Sequence, residues 1–349
     1  ETGEARLAES LGAACHDGLL CRDDSLTVPT AVCDLSALPE TCSWGETGWV
    51  YLDIETTGLS GGVGNLAFMV GAARIGTSGD LQVRQFVLGR FAAEPALLRA
   101  MLEWIGPDAS LVSYNGKCFD VPLLQSRIGL HRLGGGLAGL PHLDLMYTVR
   151  RAFRRHWPDC RLQTAERQLL ALQRVDDLPG AQAPAAWQAW LRCGETTQLA
   201  CVMRHNYQDV VSLALLHQRL IEVYAGLPLS GINHAAIGRA WRDVGQLRQA
   251  HSVCERAAGH LDDDGQLLLA QLYCGQGDWA RAEQLWLALH ARGHAGASLA
   301  LSKLYEHSLR DYRKALSFAL HCDQNECRPR LRRLHQKISS NLELPLAAQ

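Results

Sequence analysis

Two carboxylates one residue apart close an apolar stretch of the chain, and they limit what can fold around them. Residues 49–52 (Trp-Val-Tyr-Leu) predict a buried strand, Asp53-Ile54-Glu55 continues it, and Thr-Thr-Gly at 56–58 turns the chain. Because side chains alternate along a strand, Asp53 and Glu55 share one face, roughly 6–7 Å apart. Acids held that close inside a domain repel each other, and a divalent cation relieves the repulsion. A solvated strand edge is the alternative for an isolated pair.

The pattern downstream predicts an α/β domain with a mixed sheet. Strands are expected at 49–55, 66–75, 81–88, 110–114 and 143–145, helices at 94–105, 119–128, 183–193 and 196–224, and a loop at 176–180. Neighbouring strands followed by alternating helices and strands are typical of a mixed sheet with flanking helices. Residues 1–48 lack periodicity, so they predict an irregular or partly strand-like leader.

After residue 226 the chain becomes helical and carries a repeat. Trp241, Tyr273 and Tyr305 recur with a period of 32, and glycine and alanine follow the first two at matching distances. This spacing resembles tetratricopeptide (TPR) helix pairs, whose period is close to 34, while an unrelated helical bundle is the alternative. We expect one domain over 49–226 and a TPR-like interaction domain over 231–337.

Two further motifs supply carboxylates at helix positions. Asp120 follows the turn 114–119 and begins a helix, where capping is an ordinary role for an acid. His205 and Asp209 are four residues apart in another helix and face the same way, although a histidine in a helix is most often structural. With Asp53 and Glu55 they give four carboxylates and a group that titrates near neutrality. Two-metal hydrolysis of a phosphodiester requires this inventory.

In order and spacing these motifs resemble those of the DEDD (DnaQ-like) superfamily of 3′–5′ exonucleases. The resemblance covers nearly the whole chain and is closest to the YprB-type family, which includes mitomycin repair factor B. Four segments strengthen it: residues 57–64, 142–145, 174–180 and 205–210. It implies a ribonuclease H-like α/β mixed sheet with flanking helices and an all-α TPR-like C-terminal domain.

The resemblance also implies roles for the acidic residues. Asp53, Glu55, Asp120 and Asp209 are expected to hold two divalent metal ions, Mg²⁺ or Mn²⁺, with His205 as the general base. The best-known His-type members place this histidine five residues before the last aspartate, whereas here the separation is four, the spacing of the Tyr-type subclass. The residue five before is an arginine, which stays protonated and is a poor base, so His205 remains the candidate.

Substrate contacts are expected on both sides of the carboxylates. By position, Thr57 and Gly58 would meet the terminal nucleotide, with Asn115 and Lys117 near its backbone. Glycines at 61, 62 and 64 would let the main chain approach closely, and a flexible turn explains them equally well. Four arginines are candidates for holding the strand that leads into the site: Arg150, Arg151, Arg154 and Arg155. These arginines, and the basic cluster at 328–337, are either a solvated helix face or a phosphate track.

The composition narrows the class of protein. With 47% hydrophobic and 20% charged residues the sequence is that of an ordinary globular protein, and no apolar stretch approaches about 18 residues, so no membrane association is expected. Twelve scattered cysteines without a C-x-x-C predict reduced thiols and a cytoplasmic protein. Cys15, His16 and Cys21 could form a zinc site but lack its usual spacing.

These observations predict a metal-dependent 3′–5′ exonuclease that hydrolyses DNA in repair. Its helical-repeat domain would recruit a protein partner such as a helicase. The preference for DNA over RNA comes from the resemblance alone, since no residue distinguishes deoxyribose from ribose. An exoribonuclease that acts in RNA processing is therefore the first alternative. A non-catalytic scaffold that binds nucleic acid and recruits partners through its repeats is the second.

Overall fold

The computed structural model describes residues 3–27, 35–42, 44, 48–58, 64–76, 78–175, 177–227, 229–322 and 324–342. The chain divides into two compact units, Glu1–Val223 and Tyr224–Gln349. Among the described helices, none combines the length and apolarity that crossing a membrane requires. The described cysteines are all free thiols.

A mixed sheet forms the centre of the first unit. The strands of its described part are β1 (Ala14–His16), β2 (Leu19–Leu26), β3 (Gly48–Thr56), β4 (Ala67–Ile75), β5 (Leu81–Leu88), β6 (Ala109–Ser113) and β7 (His142–Asp144). Their spatial order is β1-β2-β5-β4-β3-β6-β7. Strand β3 pairs antiparallel with β4 and parallel with β6, and β6 pairs parallel with β7. This arrangement confirms the predicted ribonuclease H-like mixed sheet.

Helices flank this sheet. They are α1 (Gly3–Leu11), α2 (Glu94–Ile105), α3 (Asp120–Leu130), α4 (Leu145–Phe153), α5 (Leu162–Ala165), α6 (Ala183–Cys193) and α7 (Thr197–Tyr224). Helix α5 continues into a π-helical turn, Glu166–Leu170, which ends at Ala171 in the left-handed conformation. Strand β3, which carries the acidic pair, lies inside the sheet between the antiparallel strand β4 and the parallel strand β6.

The first 48 residues are more regular than the irregular or partly strand-like leader that their sequence predicts. They contain α1, β1 and β2, and β2 pairs antiparallel with β5 along its whole length. Leu19 and Leu20 are buried, but the polar residues after them break the apolar alternation. Asp23 instead forms an ion pair with Arg84, its partner across the two strands, at 2.5 Å. A strand held by such a pair leaves little hydrophobic periodicity, which explains the difference.

The described part of the second unit is all α-helical, as predicted. Its helices are α8 (His234–Asp243), α9 (Leu247–Arg256), α10 (Asp263–Gly275), α11 (Trp279–Ala291), α12 (Ala295–His307), α13 (Tyr312–Ala319) and α14 (Gln324–Leu342). Consecutive helices pack as pairs, α8 on α9, α10 on α11 and α12 on α13. Ala250, Ala282 and Ala315, in the second helix of each pair, are fully buried, which lets the paired helices approach closely. Assignment to the TPR class stays a prediction.

Glu306 of α12 is buried, and its carboxylate forms ion pairs with three basic residues of α14. Its carboxylate accepts hydrogen bonds from Arg333 at 2.8 Å, from Lys337 at 3.0 Å and from Arg330. These hydrogen bonds, that of Arg333 foremost, lower the pKa of Glu306 to about 2 against the opposing effect of burial. Three members of the C-terminal basic cluster are thus engaged within the fold, which favours a structural role for them over a phosphate track.

Replacement of Glu306 tests this anchor. Glu306→Gln should lower the free energy of unfolding of the second unit by about 1–3 kcal/mol at neutral pH, because three cations lose their counter-charge. A depressed pKa stabilises the fold above the unfolded value, so this contribution should disappear as the pH falls from about 4.5 towards 2. Urea unfolding followed by circular dichroism measures both effects. Equal stability of Glu306→Gln and the exposed-site variant Glu103→Gln would contradict the prediction.

Candidate active site

Four carboxylates predicted from the sequence come from three elements of the first unit. Asp53 and Glu55 lie on β3, Asp120 is the first residue of α3 beyond the end of β6, and Asp209 lies in α7. Glu55, Asp120 and Asp209 are 8–9% exposed, and Asp53 is half-buried. Since β3 and β6 are parallel, their carboxyl ends meet at one edge of the sheet. Ligand sites of α/β sheets form at that edge.

Asp53 lies in a row of three residues on neighbouring strands, and contacts along this row orient its carboxylate. Asp53 lies beside Gly71 of β4, which lies beside Gln85 of β5. A side chain at Gly71 would overlap Asn206 of α7, so the glycine lets this helix approach the sheet. Asn206 donates to Oδ2 of Asp53 at 2.9 Å, and Gln85 donates to Oδ1 of Asn206 at 2.9 Å. This buried chain of amides fixes the Asp53 carboxylate.

Asp144, at the end of β7, organises the turn before Asp120. Its carboxylate accepts from the backbone N–H groups of Asn115 at 2.8 Å and Lys117 at 3.2 Å, and it caps α4 through Met146. Asn115 has a φ of 67°, in the left-handed region that asparagine tolerates. The buried carboxylate of Asp144 thus fixes the turn, and the turn places Asp120 near the end of β6.

His205 lies among carboxylates on both sides of its ring. Nδ1 is 2.6 Å from Oδ1 of Asp177, while Nε2 is 3.5 Å from Oδ2 of Asp209 and 4.0 Å from Oε1 of Glu55. A contact of 2.6 Å between a ring nitrogen and a carboxylate requires a proton, so Nδ1–H donates to Asp177. In the neutral ring Nε2 then carries the lone pair, and it faces Asp209 and Glu55.

Arg174 brings a permanent positive charge into the cluster. It forms a two-pronged ion pair with Glu166 at 2.7 and 2.6 Å and a further ion pair with Asp209. Its Nη1 lies 3.4 Å from Oδ2 of Asp177. Glu166 is buried and sits in the π-helical turn after α5. Arg174 therefore contacts several carboxylates at once, and the carboxylates of the site outnumber this permanent cation.

Burial and the charges of neighbouring acids raise the pKa of every carboxyl group in the set. Burial is the largest cause for each, with the neighbouring acids adding to it. The pKa of Glu55 is raised to about 8, that of Asp120 to about 7, and those of Asp53 and Asp209 lie above their usual range. Burial would lower the pKa of His205, but the nearby carboxylates of Asp209, Asp177 and Glu55 raise it overall. Without a further cation, the cluster binds protons.

The donor set fits divalent metal ions. Hard cations such as Mg²⁺ and Mn²⁺ prefer carboxylate oxygens, and here buried carboxylates repel one another with few compensating charges. Among the residues that the structure describes, which include Cys15, His16 and Cys21, no three His, Cys, Asp or Glu side chains are positioned together so that they could hold a metal ion. One oxygen of Asp209 accepts a hydrogen bond from Arg174.

The predicted substrate residues fall into two groups. Thr57 closes a loop at the end of β3, since its N–H donates to the carbonyl of Leu66 and its Oγ1 accepts from the N–H of Leu66. Gly58 is half-exposed beside it, and the glycines at 61 and 62 lie outside the described residues. Asn115 and Lys117 are exposed on the turn before Asp120.

The arginine group lies on α4 and the turn that follows it. Arg150, Arg154 and Arg155 are exposed there. Arg151 instead forms an ion pair with Glu40, so its guanidinium is engaged within the fold. The structure therefore presents three of the four predicted arginines to solvent.

Sequence reasoning assigned no role to several residues that support the site. Arg174 and Asp177 lie in the segment 174–180, and Asn206 in the segment 205–210, both of which carried the resemblance. Gln85 could have been noticed in the sequence, because it is an amide on the same strand face as the apolar residues Leu81, Val83 and Val87. Glu166 has none, since acids in arginine-rich helices are ordinarily solvated.

Comparison with known proteins agrees with this geometry. Residues 50–221, which include the acidic residues and His205, match the family described as the RNase_H superfamily. The chain is also 30% identical over 305 residues to an uncharacterized protein of Bacillus subtilis (strain 168) named YprB, covering 81% of this chain and 72% of that protein. The chain belongs to the YprB family of the RNase H superfamily. Members of this superfamily hydrolyse phosphodiester bonds of nucleic acids, generally with divalent metals.

The electrostatics of this YprB-family site predict a stability that depends on pH and metal. The folded, metal-free chain keeps protons on Glu55 and Asp120 at pH values where the unfolded chain has lost them. Its free energy of unfolding should therefore fall as the pH rises from about 4.5 to about 8. Asp53→Asn should raise this free energy by about 1–3 kcal/mol at the upper end of that range, because one buried charge is removed. Thermal unfolding with a chelator present measures the effect.

The exposed-site variant Asp108→Asn is the control and should leave the stability unchanged. Added Mg²⁺ or Mn²⁺ should stabilise the parent and not Asp53→Asn. A metal-free Asp53→Asn protein that is less stable than its parent would show that the carboxylates do not repel one another.

Proposed function

We propose that the chain is a metal-dependent 3′–5′ exonuclease that hydrolyses DNA, acting in DNA repair. The observation that carries the proposal is a histidine aimed at an acidic cluster. Nε2 of His205 faces Asp209 and Glu55, while Nδ1–H is held by Asp177. A cluster of buried carboxylates beside an oriented imidazole has the composition of a phosphodiester hydrolase.

The four carboxylates would act together on the metal ions. Asp53, Glu55, Asp120 and Asp209 would hold two divalent ions, which when bound supply the charge that stabilises the attacking and leaving oxygens. Asn206 keeps the Asp53 carboxylate oriented towards the cluster through its hydrogen bond to Oδ2. The turn organised by Asp144 does the same for Asp120.

His205 would act as the general base. With Nδ1–H donated to Asp177, the Nε2 lone pair is available to take a proton from the attacking water. Asp177 stabilises the imidazolium that results, as a carboxylate beside a catalytic histidine does in other hydrolases. The four-residue spacing between His205 and Asp209 suits this geometry, since positions i and i+4 share one face of α7.

The substrate strand would approach the site past α4. Four exposed basic residues can contact phosphates there. They lie on the turn before Asp120, on α4 and on the turn after α4: Lys117, Arg150, Arg154 and Arg155. Thr57 and Gly58, at the end of β3, would contact the terminal nucleotide. The second unit would recruit a protein partner, such as a helicase, through its stacked helix pairs.

Stepwise digestion of labelled strands tests the reaction. With Mg²⁺ or Mn²⁺, 5′-labelled single-stranded DNA should shorten progressively from its 3′ end, and a 3′ label should be released as mononucleotide. Matched RNA strands distinguish the exoribonuclease alternative, and random internal cuts would identify an endonuclease. Asp53→Asn should abolish digestion while Asp108→Asn retains it. Binding of strands without digestion under any of these conditions would instead support the scaffold.

The base is tested separately. His205→Gln should lower kcat by about 10²–10⁴-fold, because proton transfer from water loses its acceptor, while KM for the strand changes little. His260→Gln, at an exposed histidine of the second unit, is the control. Single-turnover rates at saturating metal measure the chemical step. Unchanged rates in His205→Gln would remove the base assignment and leave the carboxylate assignment standing.

A further inference from the structure

Arg174 makes more polar contacts in the acidic cluster than the proposed mechanism uses. Its side chain is 8% exposed, and its Nε and Nη2 donate to the two oxygens of Glu166 at 2.7 and 2.6 Å. Nη2 also donates to Oδ1 of Asp209. Nη1 lies 3.4 Å from Oδ2 of Asp177, the residue that holds His205. One guanidinium thus connects Asp209, the proposed metal ligand, to Asp177, the partner of the proposed base.

We propose that Arg174 is a positioning residue that holds one oxygen of Asp209 and the carboxylate of Asp177 in place, and that its charge weakens metal binding. The proposal rests on the proposed function, since it takes Asp209 to be a metal ligand. Arg174 leaves Oδ2 of Asp209, on the side of His205, as the oxygen available to a metal ion.

The shape of the guanidinium is essential to this role. Its N–H groups point in fixed directions in one plane, so it can serve Glu166, Asp209 and Asp177 at the same time. Glu166 is 1% exposed and makes a two-pronged contact, which fixes the plane of the guanidinium. A lysine would keep the charge but could not reproduce this fork.

The sign of the effect on metal binding follows from Coulomb's law. Removal of Arg174 takes a positive charge away from the carboxylates and should strengthen their attraction for a cation. A divalent ion gains twice as much from this change as a proton that competes for the same oxygen, so metal affinity should rise at any pH. Removal of the Glu166 charge should have the opposite effect. A residue whose role is only to stabilise the fold would give neither sign.

Mn²⁺ binding without substrate tests the proposal, by calorimetry and by the electron paramagnetic resonance of free Mn²⁺. Arg174→Gln should bind Mn²⁺ on the order of tenfold more tightly than the parent, and Glu166→Gln more weakly. In single-turnover digestion at saturating Mn²⁺, Arg174→Gln should lose at least about tenfold in rate with little change in KM. Arg174→Lys, which keeps the charge, should retain the parental Mn²⁺ affinity and still turn over slowly.

The pair of Arg127 and Glu94 provides a matched control. It is also a buried two-pronged ion pair, at 2.6 and 2.5 Å, between α3 and α2. Arg127→Gln should cost stability without changing Mn²⁺ affinity. Thermal unfolding of each variant identifies any that fail to fold. If Arg174→Gln does not fold, the Mn²⁺ affinity of Glu166→Gln and the turnover of Arg174→Lys test the proposal instead.

The outcomes separate this proposal from the proposed function. A parent that binds no Mn²⁺ would overturn the metal-dependent function itself. A parent that binds Mn²⁺, with equal or weaker binding by a folded Arg174→Gln, would overturn the role of Arg174 alone. Equal or tighter binding by Glu166→Gln, or parental turnover by Arg174→Lys, would do the same. Because Mn²⁺ binding is measured without nucleic acid, the result does not depend on the identity of the substrate.

Discussion

Repulsion among buried carboxylates is the constraint on which the arrangement of the first unit depends. Burial raises the pKa values of Asp53, Glu55, Asp120 and Asp209, and the charges of neighbouring acids raise them further. Left to itself, such a cluster would open to water or take up protons. The surrounding fold prevents the first of these by holding the side chains from several independent elements. The ground state is therefore poised to accept cations.

The topology of the sheet makes this concentration of charge feasible. Strand β3 ends beside the parallel strand β6, and the antiparallel strands β4 and β5 extend the same surface on the other side. Gly71 leaves room for α7 to approach this surface. Asn206 then reaches Asp53, and on the same helix His205 and Asp209 come to face Glu55. Because Gly71 on β4 has no side chain, α7 can approach closely enough to contribute residues to the site.

The sequence predicted this sheet well, because its signals are local. Strands β3 to β5 and helices α2 and α3 follow hydrophobic periods of two and 3.6 residues, and turns separate them. The four acids could be proposed as a set because they come at strand ends and helix positions that this pattern predicts. Strand β2 was anticipated only as part of an irregular or partly strand-like leader, because a charged pair, Asp23 and Arg84, supports it in place of apolar alternation.

The supporting residues of the site could not be predicted in the same way. Glu166 and Arg174 are brought to Asp209 by the π-helical turn and the loop after it, and no periodic pattern encodes such a path. The role of Asp177 depends on a 2.6 Å contact with a histidine that lies 28 residues away in the chain. Contacts of this kind are fixed by tertiary packing, so a single sequence can show the residue types without showing which of them meet.

In the part of the chain that the structure describes, buried glutamates form ion pairs at Arg127, at Arg174 and on α14, and the balance of charge at each place separates structural from functional use. Arg127 lies with Glu94, to which His131 also bonds, and the buried Glu306 is matched by the cations of α14. In both places positive charge equals or exceeds negative charge, and the pKa of each glutamate is lowered. Around Arg174 the relation is reversed.

There, carboxylates outnumber the permanent cation, and the pKa values of Asp53, Glu55, Asp120 and Asp209 are all raised. A buried pair that serves stability alone gains nothing from an excess of negative charge. A buried ion pair can thus stabilise the fold or support a site, depending on the number of acids that surround it. At Arg174 the excess leaves carboxylate oxygens that take up protons unless additional cations satisfy them, and this imbalance distinguishes the candidate active site from the ion pairs that hold the helices together.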